Sequence, residues 1–155
     1  MDSYALLLGS TLSAGTVLAI AALGLLINEK AGIVNLGAEG MMLCAAIAGF
    51  ATVVTTHNPW LGLLAGMAAG ALLAAFFGVL VIWLNTNQYA TGLALSLFGV
   101  GFSAFAGINF VQAKLPESAS YAIPVLADIP LLGPALFRHH PMVYVAVLLL
   151  SLIHI

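Results

Sequence analysis

Trp60-Leu-Gly-Leu-Leu-Ala-Gly-Met-Ala-Ala-Gly-Ala-Leu-Leu-Ala-Ala-Phe-Phe-Gly-Val-Leu-Val-Ile-Trp83 holds neither a charged side chain nor a proline. The tryptophans that bracket it lie 23 positions apart, about 35 Å along an α-helix. That is close to the separation of the two aromatic belts of a bilayer, where indole rings sit at headgroup level. Within the stretch, Gly62, Gly66, Gly70, Ala74 and Gly78 recur at every fourth position. This spacing draws a smooth strip down one helical face. In lipid, helices associate through close backbone approach, so the strip is the expected site of a tight helix–helix contact.

The rest of the chain has the same character. Of 155 residues, 63% are hydrophobic and 5% charged, and the mean hydropathy is +1.19. Soluble domains carry about 25% charged residues. No soluble core of this length could hide so much apolar surface, so the solvent of this chain is the lipid bilayer. A net charge of −2 without any basic run excludes a nucleic-acid partner. The single cysteine, Cys44, excludes an internal disulfide framework and reads as a small buried hydrophobe. The adjacent His139 and His140 have no further ligands nearby, so no metal site is expected, and no cofactor either.

Four full spans can be drawn, at about residues 4–28, 33–56, 60–84 and 89–112. Each exceeds the roughly 20 residues that cross a hydrocarbon core. Backbone groups in lipid must be bonded internally, and continuous apolar runs without period-two alternation choose helix over barrel. Asp2 replaces the basic start of a signal peptide, so the first run is read as a retained span. Its Ser10, Ser13 and Thr16 share one face, read first as a packing face. The fourth span repeats the small-residue strip in Gly99, Ser103 and Gly107.

After Gln112 the pattern changes. Pro116, Pro124, Pro130, Pro134 and Pro141 forbid a continuous helix, so residues 113–141 are read as a Pro-rich external loop. Its apolar middle suggests a loop packed on the membrane surface or the protein, with docking of an external partner as the sharper reading. The last run, 143–155, has 13 residues and is too short to span. The expected fold is therefore all-α: a polytopic transmembrane helix bundle of four full spans plus the start of a fifth. It forms one transmembrane domain over 1–155, read as a C-terminally truncated fragment. Lys30, in a short inter-span loop, places that loop and the 85–88 turn on the cytoplasmic side; Lys114 and Arg138 argue mildly the other way.

One segment breaks the apolar monotony: Glu29-Lys-Ala-Gly-Ile-Val-Asn-Leu-Gly-Ala-Glu-Gly-Met41. Its charges, three glycines and one asparagine crowd between two long apolar runs. If the second helix starts near Ile33, Glu39 lies about 9 Å along it. A charged carboxyl at a span centre costs roughly 2.5–3.5 kcal/mol on insertion scales, so Glu39 needs a partner, a watery cavity or a proton. Gly37 and Gly40 flank it and admit another backbone or let the helix unwind, and Asn35 offers a donor and an acceptor one turn earlier. Asn35, Gly37, Glu39 and Gly40 are thus the candidate substrate pathway or gate; the competing reading makes Glu39 a structural anchor of the bundle. No catalytic residue is assigned.

The stretch from Lys30 to Met42, Lys-Ala-Gly-Ile-Val-Asn-Leu-Gly-Ala-Glu-Gly-Met-Met, resembles the signature of bacterial ABC-importer permeases of the branched-chain amino acid/ribose/nucleoside superfamily. It is most similar to the nucleoside and simple-sugar branch. The resemblance continues through Asn87-Gln-Tyr-Ala-Thr-Gly-Leu-Ala-Leu95 and Ile123-Pro-Val-Leu-Ala-Asp-Ile-Pro-Leu-Leu-Gly-Pro-Ala-Leu-Phe137, in family order. Permeases of this family are about twice as long. The resemblance implies a multi-pass subunit of the bacterial inner membrane that works by alternating access on nucleosides or related small polar solutes. It also implies a second permease subunit, cytoplasmic ABC ATPase subunits and an extracytoplasmic substrate-binding protein. The sequence holds no Gly-x-x-x-x-Gly-Lys-Ser/Thr phosphate loop, so ATP would be hydrolysed on separate subunits. Two rivals stand beside this reading. One is a channel or membrane assembly subunit without ATP-coupled transport. The other is an intramembrane enzyme, for which neither a His-Glu-x-x-His nor a Gly-x-Ser-x-Gly motif is present.

Overall fold

In a computed structural model, residues 2–115, 121–122, 138–139 and 141–153 are described. They form five α-helices: α1 Asp2–Lys30, α2 Ala38–Thr56, α3 Pro59–Gly78, α4 Gln88–Gly107 and α5 Pro141–Ile153. The stretches Leu7–Lys30, Ala38–Thr56, Pro59–Trp83 and Gln88–Phe110 are long and apolar enough to cross a membrane. The 13 residues of α5 rise only about 20 Å, short of a hydrocarbon core.

Residues 28–117 form one compact body. Its helices begin and end where local chemistry dictates. Asn58 caps α3, its Oδ1 accepting from the N–H groups of Trp60 (3.0 Å) and Leu61 (3.4 Å), with Pro59 set just inside the helix. Asn87 caps α4 in the same way, accepting from Tyr89 (3.0 Å) and Ala90 (3.1 Å). At its far end α3 passes into a π-turn, Val79–Trp83, and α4 closes in a 3-10 turn, Ile108–Phe110. The Thr86 hydroxyl donates to Leu80 O at 2.9 Å and pairs with the Thr91 hydroxyl at 2.9 Å, satisfying a carbonyl that the π-turn frees.

Helix α2 is the centre of this body: α3 packs on one of its faces and α4 on another, whereas α3 and α4 barely meet. The α2–α3 seam is built of small residues. A Cβ on Gly66 would stand 3.0 Å from Ala45 O, one on Gly49 would stand 3.0 Å from Gly62 O, and one on Gly62 would run into the Val53 side chain. Farther along the strip the contact fades. A Cβ on Gly70 would meet Ala45 Cβ at an ordinary 3.6 Å, Ala74 is exposed, and the nearest neighbour of Gly78 is Ile82 of its own turn. Gly66→Leu is therefore expected to part α2 from α3 and cost at least about 2 kcal/mol, lowering membrane abundance and thermal stability in detergent. Gly70→Ala should stay near the parent in both measurements; equal losses from the two would remove the seam as the cause.

A small core closes the same body, with Met41 of α2, Phe77 of α3 and Leu95 of α4 buried against one another. Ile33, Leu73 and Val81 pack around them. Phe50 of α2 meets Phe110 edge-on at 6.2 Å.

Residues 1–27 and 118–155 form the second body. In α1, the hydroxyls of Ser10 (2.9 Å), Thr11 (2.8 Å) and Thr16 (2.8 Å) donate to carbonyls of the preceding turn, which satisfies them within the helix. Tyr121–Ala122 (β1) and Arg138–His139 (β2) pair antiparallel, with Tyr121 opposite His139 and Ala122 opposite Arg138. Most of the Pro-rich segment 113–141, including all of 123–137 and His140, lies outside the described residues.

One boundary expected from the sequence is corrected. The second helix begins at Ala38, not near Ile33, and residues 33–35 have no helical structure. Glu39 is consequently the second residue of α2, in its first turn, rather than a residue two turns inside it.

Candidate functional site

The lead-in to α2 starts with the end of α1. Gly32 adopts φ +82, the N–H of Gly32 reaches Glu29 O at 2.9 Å, and the N–H of Ile33 reaches Asn28 O at 3.0 Å. This paired pattern around a left-handed glycine is a Schellman cap, which stops α1 and turns the chain. Any side chain at Gly32 would be strained there even though the surrounding space is open.

The chain then runs beside the first turns of α4. The N–H of Val34 donates to Gln88 Oε1 at 3.0 Å, across 54 residues of sequence. Asn35 is buried, and its Oδ1 accepts from the N–H of Gly37 at 2.9 Å. Its Nδ2 faces Met41 Sδ at 3.7 Å. This Asx turn substitutes for the side-chain cap that α2 lacks, because Gly37, the residue at its N-terminus, has no side chain to offer.

Below the turn the two backbones touch. A Cβ on Gly92 would stand 2.9 Å from Leu36 N and 3.0 Å from Gly37 N. One on Gly37 would stand 3.1 Å from Gly92 O, and one on Gly40 would stand 2.5 Å from Leu95 O and 2.7 Å from Ser96 Cα. A Cβ on Gly99 would collide with the Cα, carbon and oxygen of Gly40. One turn on, Cys44 is buried with its Sγ 4.0 Å from Gly99 O. The segment 34–44 and the stretch 88–99 of α4 thus run side by side in the same direction. Ser96 lies eight residues past Gln88, so Gly40 meets α4 about 12 Å along its axis. A stretch of non-helical backbone accompanies those first turns. Such backbone is tolerated among membrane-crossing helices only where it is buried in protein or lines a wet cavity, and Asn35 and Gly37 are buried here.

The four residues singled out from the sequence therefore divide. Gly37 and Gly40 lie on the α4 side as backbone contacts, and Asn35 is the buried turn-former before them. Glu39 is exposed on another side of α2, with Met42 and Ala46 also exposed at helical spacing from it. Its carboxylate has no hydrogen-bond or ion-pair partner among the described residues, and its place in the first turn complements the helix dipole. Sequence reasoning passed over three contributors on α4: Gln88, Gly92 and Ser96. A signal existed for two of them. Gly92, Ser96, Gly99, Ser103 and Gly107 recur at steps of three and four, so the small-residue strip of α4 begins almost two turns earlier than the reading of Gly99, Ser103 and Gly107. Gln88 had no such signal, since a polar residue after a turn is ordinary. Among the described residues, no group of three or more histidine, cysteine or acidic side chains could hold a metal ion.

The same segment, with both its neighbours, is part of a longer match. Residues 7–155 match the family described as "Branched-chain amino acid transport system / permease component". The chain belongs to that family. Among similar proteins, one from Haloferax volcanii, provisionally named a glucose ABC transporter permease protein, is 42% identical over 152 residues, covering 96% of this chain and 46% of the relative. The guanosine ABC transporter permease protein of Bacillus subtilis is 33% identical over 140 residues, covering 83% and 44%. The nucleoside ABC transporter permease protein of Lactococcus lactis is 27% identical over 147 residues, covering 88% and 46%. This permease-family chain spans about half the length of the relatives it matches. No solved structure matches it significantly. With its four membrane-crossing helices, this permease-family member is a multi-pass protein of the inner membrane.

Proposed function

We propose that this chain supplies part of the translocation path of an ABC importer permease for nucleosides or related small polar solutes. The path works by alternating access and the chain itself catalyses no reaction. The single observation that carries the path is Glu39: an exposed carboxylate without a partner among the described residues, at the start of α2 just after a non-helical lead-in and next to Gly40, which meets α4 about 12 Å along its axis. A helix start next to non-helical backbone is where transporters of other folds place solute contacts. A second permease subunit would complete the path. Cytoplasmic ABC ATPase subunits would drive it and an extracytoplasmic substrate-binding protein would feed it. Solute contacts must be loose for such a path to release what it takes up, so one carboxylate and a few backbone groups suit the task better than a deep pocket.

The names of the relatives support an ABC permease for small polar solutes, since two are named for nucleosides or guanosine and two for glucose. The test is uptake by the intact transporter containing the full-length protein, with labelled guanosine, labelled glucose and an excess of either as competitor. Nucleoside uptake that ATP depletion abolishes and glucose does not compete is expected. Glucose uptake alone would move the substrate to sugars, and solute flux indifferent to ATP would replace the importer with a channel.

A further inference from the structure

We propose that Gln88 is a positioning residue for this candidate path: its side-chain oxygen holds the Val34 peptide and thereby sets the height at which the Asn35–Glu39 segment rests on α4. The inference rests on the path reading of Glu39 given above. The geometry that motivates it is an imbalance of ties. The start of α2 is locked to α4 from below, where Gly40 meets Leu95, Ser96 and Gly99 through backbone contact. From above, the Gly32 cap and the Asn35 turn are local, and before Leu36 and Gly37 reach their seat on Gly92 neither of them ties the chain to α4. The bond from Val34 N–H to Gln88 Oε1, at 3.0 Å, is the one described side-chain hydrogen bond that joins residues 31–37 to α4.

Gln88 is itself well placed to hold this bond. It is the first residue of α4, and the Asn87 cap orders the turn it belongs to. Gln88, Gly92, Ser96 and Gly99 fall at steps of four, four and three, so they line one face of α4. That face carries, in order, the hook for Val34, the seat for Leu36 and Gly37, and the seat for Gly40. Val34 is half-buried, so its N–H loses much of its access to water, and losing the acceptor would leave a donor in need of a new partner. The cheapest relief is movement of the lead-in away from α4. That movement would loosen the seat of Leu36 and Gly37 on Gly92 and pass from there to Glu39, five residues on, while the Gly40 contacts below it hold.

The experiment uses the full-length protein in its transporter. Gln88→Met keeps length and approximate volume but removes the oxygen acceptor; Gln88→Glu keeps an acceptor at the same reach. Glu39→Cys is placed in each background, and its labelling by a membrane-impermeant maleimide is measured above that of the matching protein that keeps Glu39. Gln88→Met is expected to change the labelling rate severalfold and, with Glu39 intact, to lower uptake about threefold to tenfold at parental abundance. Gln88→Glu is expected to restore both readings towards the parent. Unchanged labelling in Gln88→Met, or equal disturbance by Met and Glu, would overturn the positioning role. A labelling change rescued by Glu, with uptake untouched in all variants, would uphold the positioning role and defeat the path reading of Glu39. Loss of abundance in Gln88→Met that Glu does not correct would make the residue merely structural and overturn the proposal.

Discussion

Gly99→Val is expected to bring down the protein rather than its activity. A Cβ at this position would overlap the backbone of Gly40, so the obstacle is main chain and cannot turn aside like a side chain. Inserting bulk into a packed interior ordinarily costs about 1–3 kcal/mol, and here the cost should reach the top of that range because two helices must separate. Their separation would also undo the neighbouring contacts of Gly37 and Gly92 and uncover Cys44. The readouts are the amount of full-length protein in membranes and its thermal stability in detergent. Gly101→Val is the control: it lies on the same helix, makes the same change in intrinsic propensity and meets nothing within 4 Å. If both variants lose stability alike, helix propensity is the cause and the close crossing of α2 on α4 is unimportant.

Glu39→Gln should do the reverse, leaving abundance intact while uptake falls about tenfold to a hundredfold. That range is what the loss of one charged hydrogen bond, worth about 1.5–3 kcal/mol, would produce if it formed mainly during passage of the solute. The substitution keeps volume, removes the charge and turns one acceptor oxygen into a donor. In the resting structure the carboxylate is exposed and joins no described partner, so the bundle has little to lose from the change. Measured uptake should therefore be divided by measured protein in the membrane. Parallel decline of the two would make Glu39 an anchor, and no decline in either would remove it from the path.

Much of this arrangement could be read before any coordinates. Three of the four spans lie within a few residues of their expected limits, and Cys44 is buried, as its reading as a small hydrophobe expects. The start of α2 could not be read so. Ile33, Val34 and Leu36 prolong the apolar run, and apolarity reports which solvent a residue meets, not whether its peptide is helical. The peptide groups there are bonded instead by the α1 cap, by Gln88 and by Asn35. The glycines were ambiguous for a related reason. A glycine that admits a partner backbone and one that loosens a helix look the same in one dimension, and the position of Gly99 decides for Gly40. On α3, an unbroken strip of small residues did not foretell where contact ends, because Ala74 and Gly78 lie past the α2 crossing.

Length and hydropathy were enough to dictate helices in a bilayer, since a chain this apolar has to satisfy its peptide groups internally and each run is long enough to cross. The family likeness was equally legible, written in short motifs. Which side chains meet was settled only when α2 lay against α4: that contact turned Asn35, Gly37 and Gly40 inward, left Glu39 outside and gave Gln88 something to hold. Pairings of this kind join residues more than fifty positions apart, and backbone shape rather than hydrophobicity governs them.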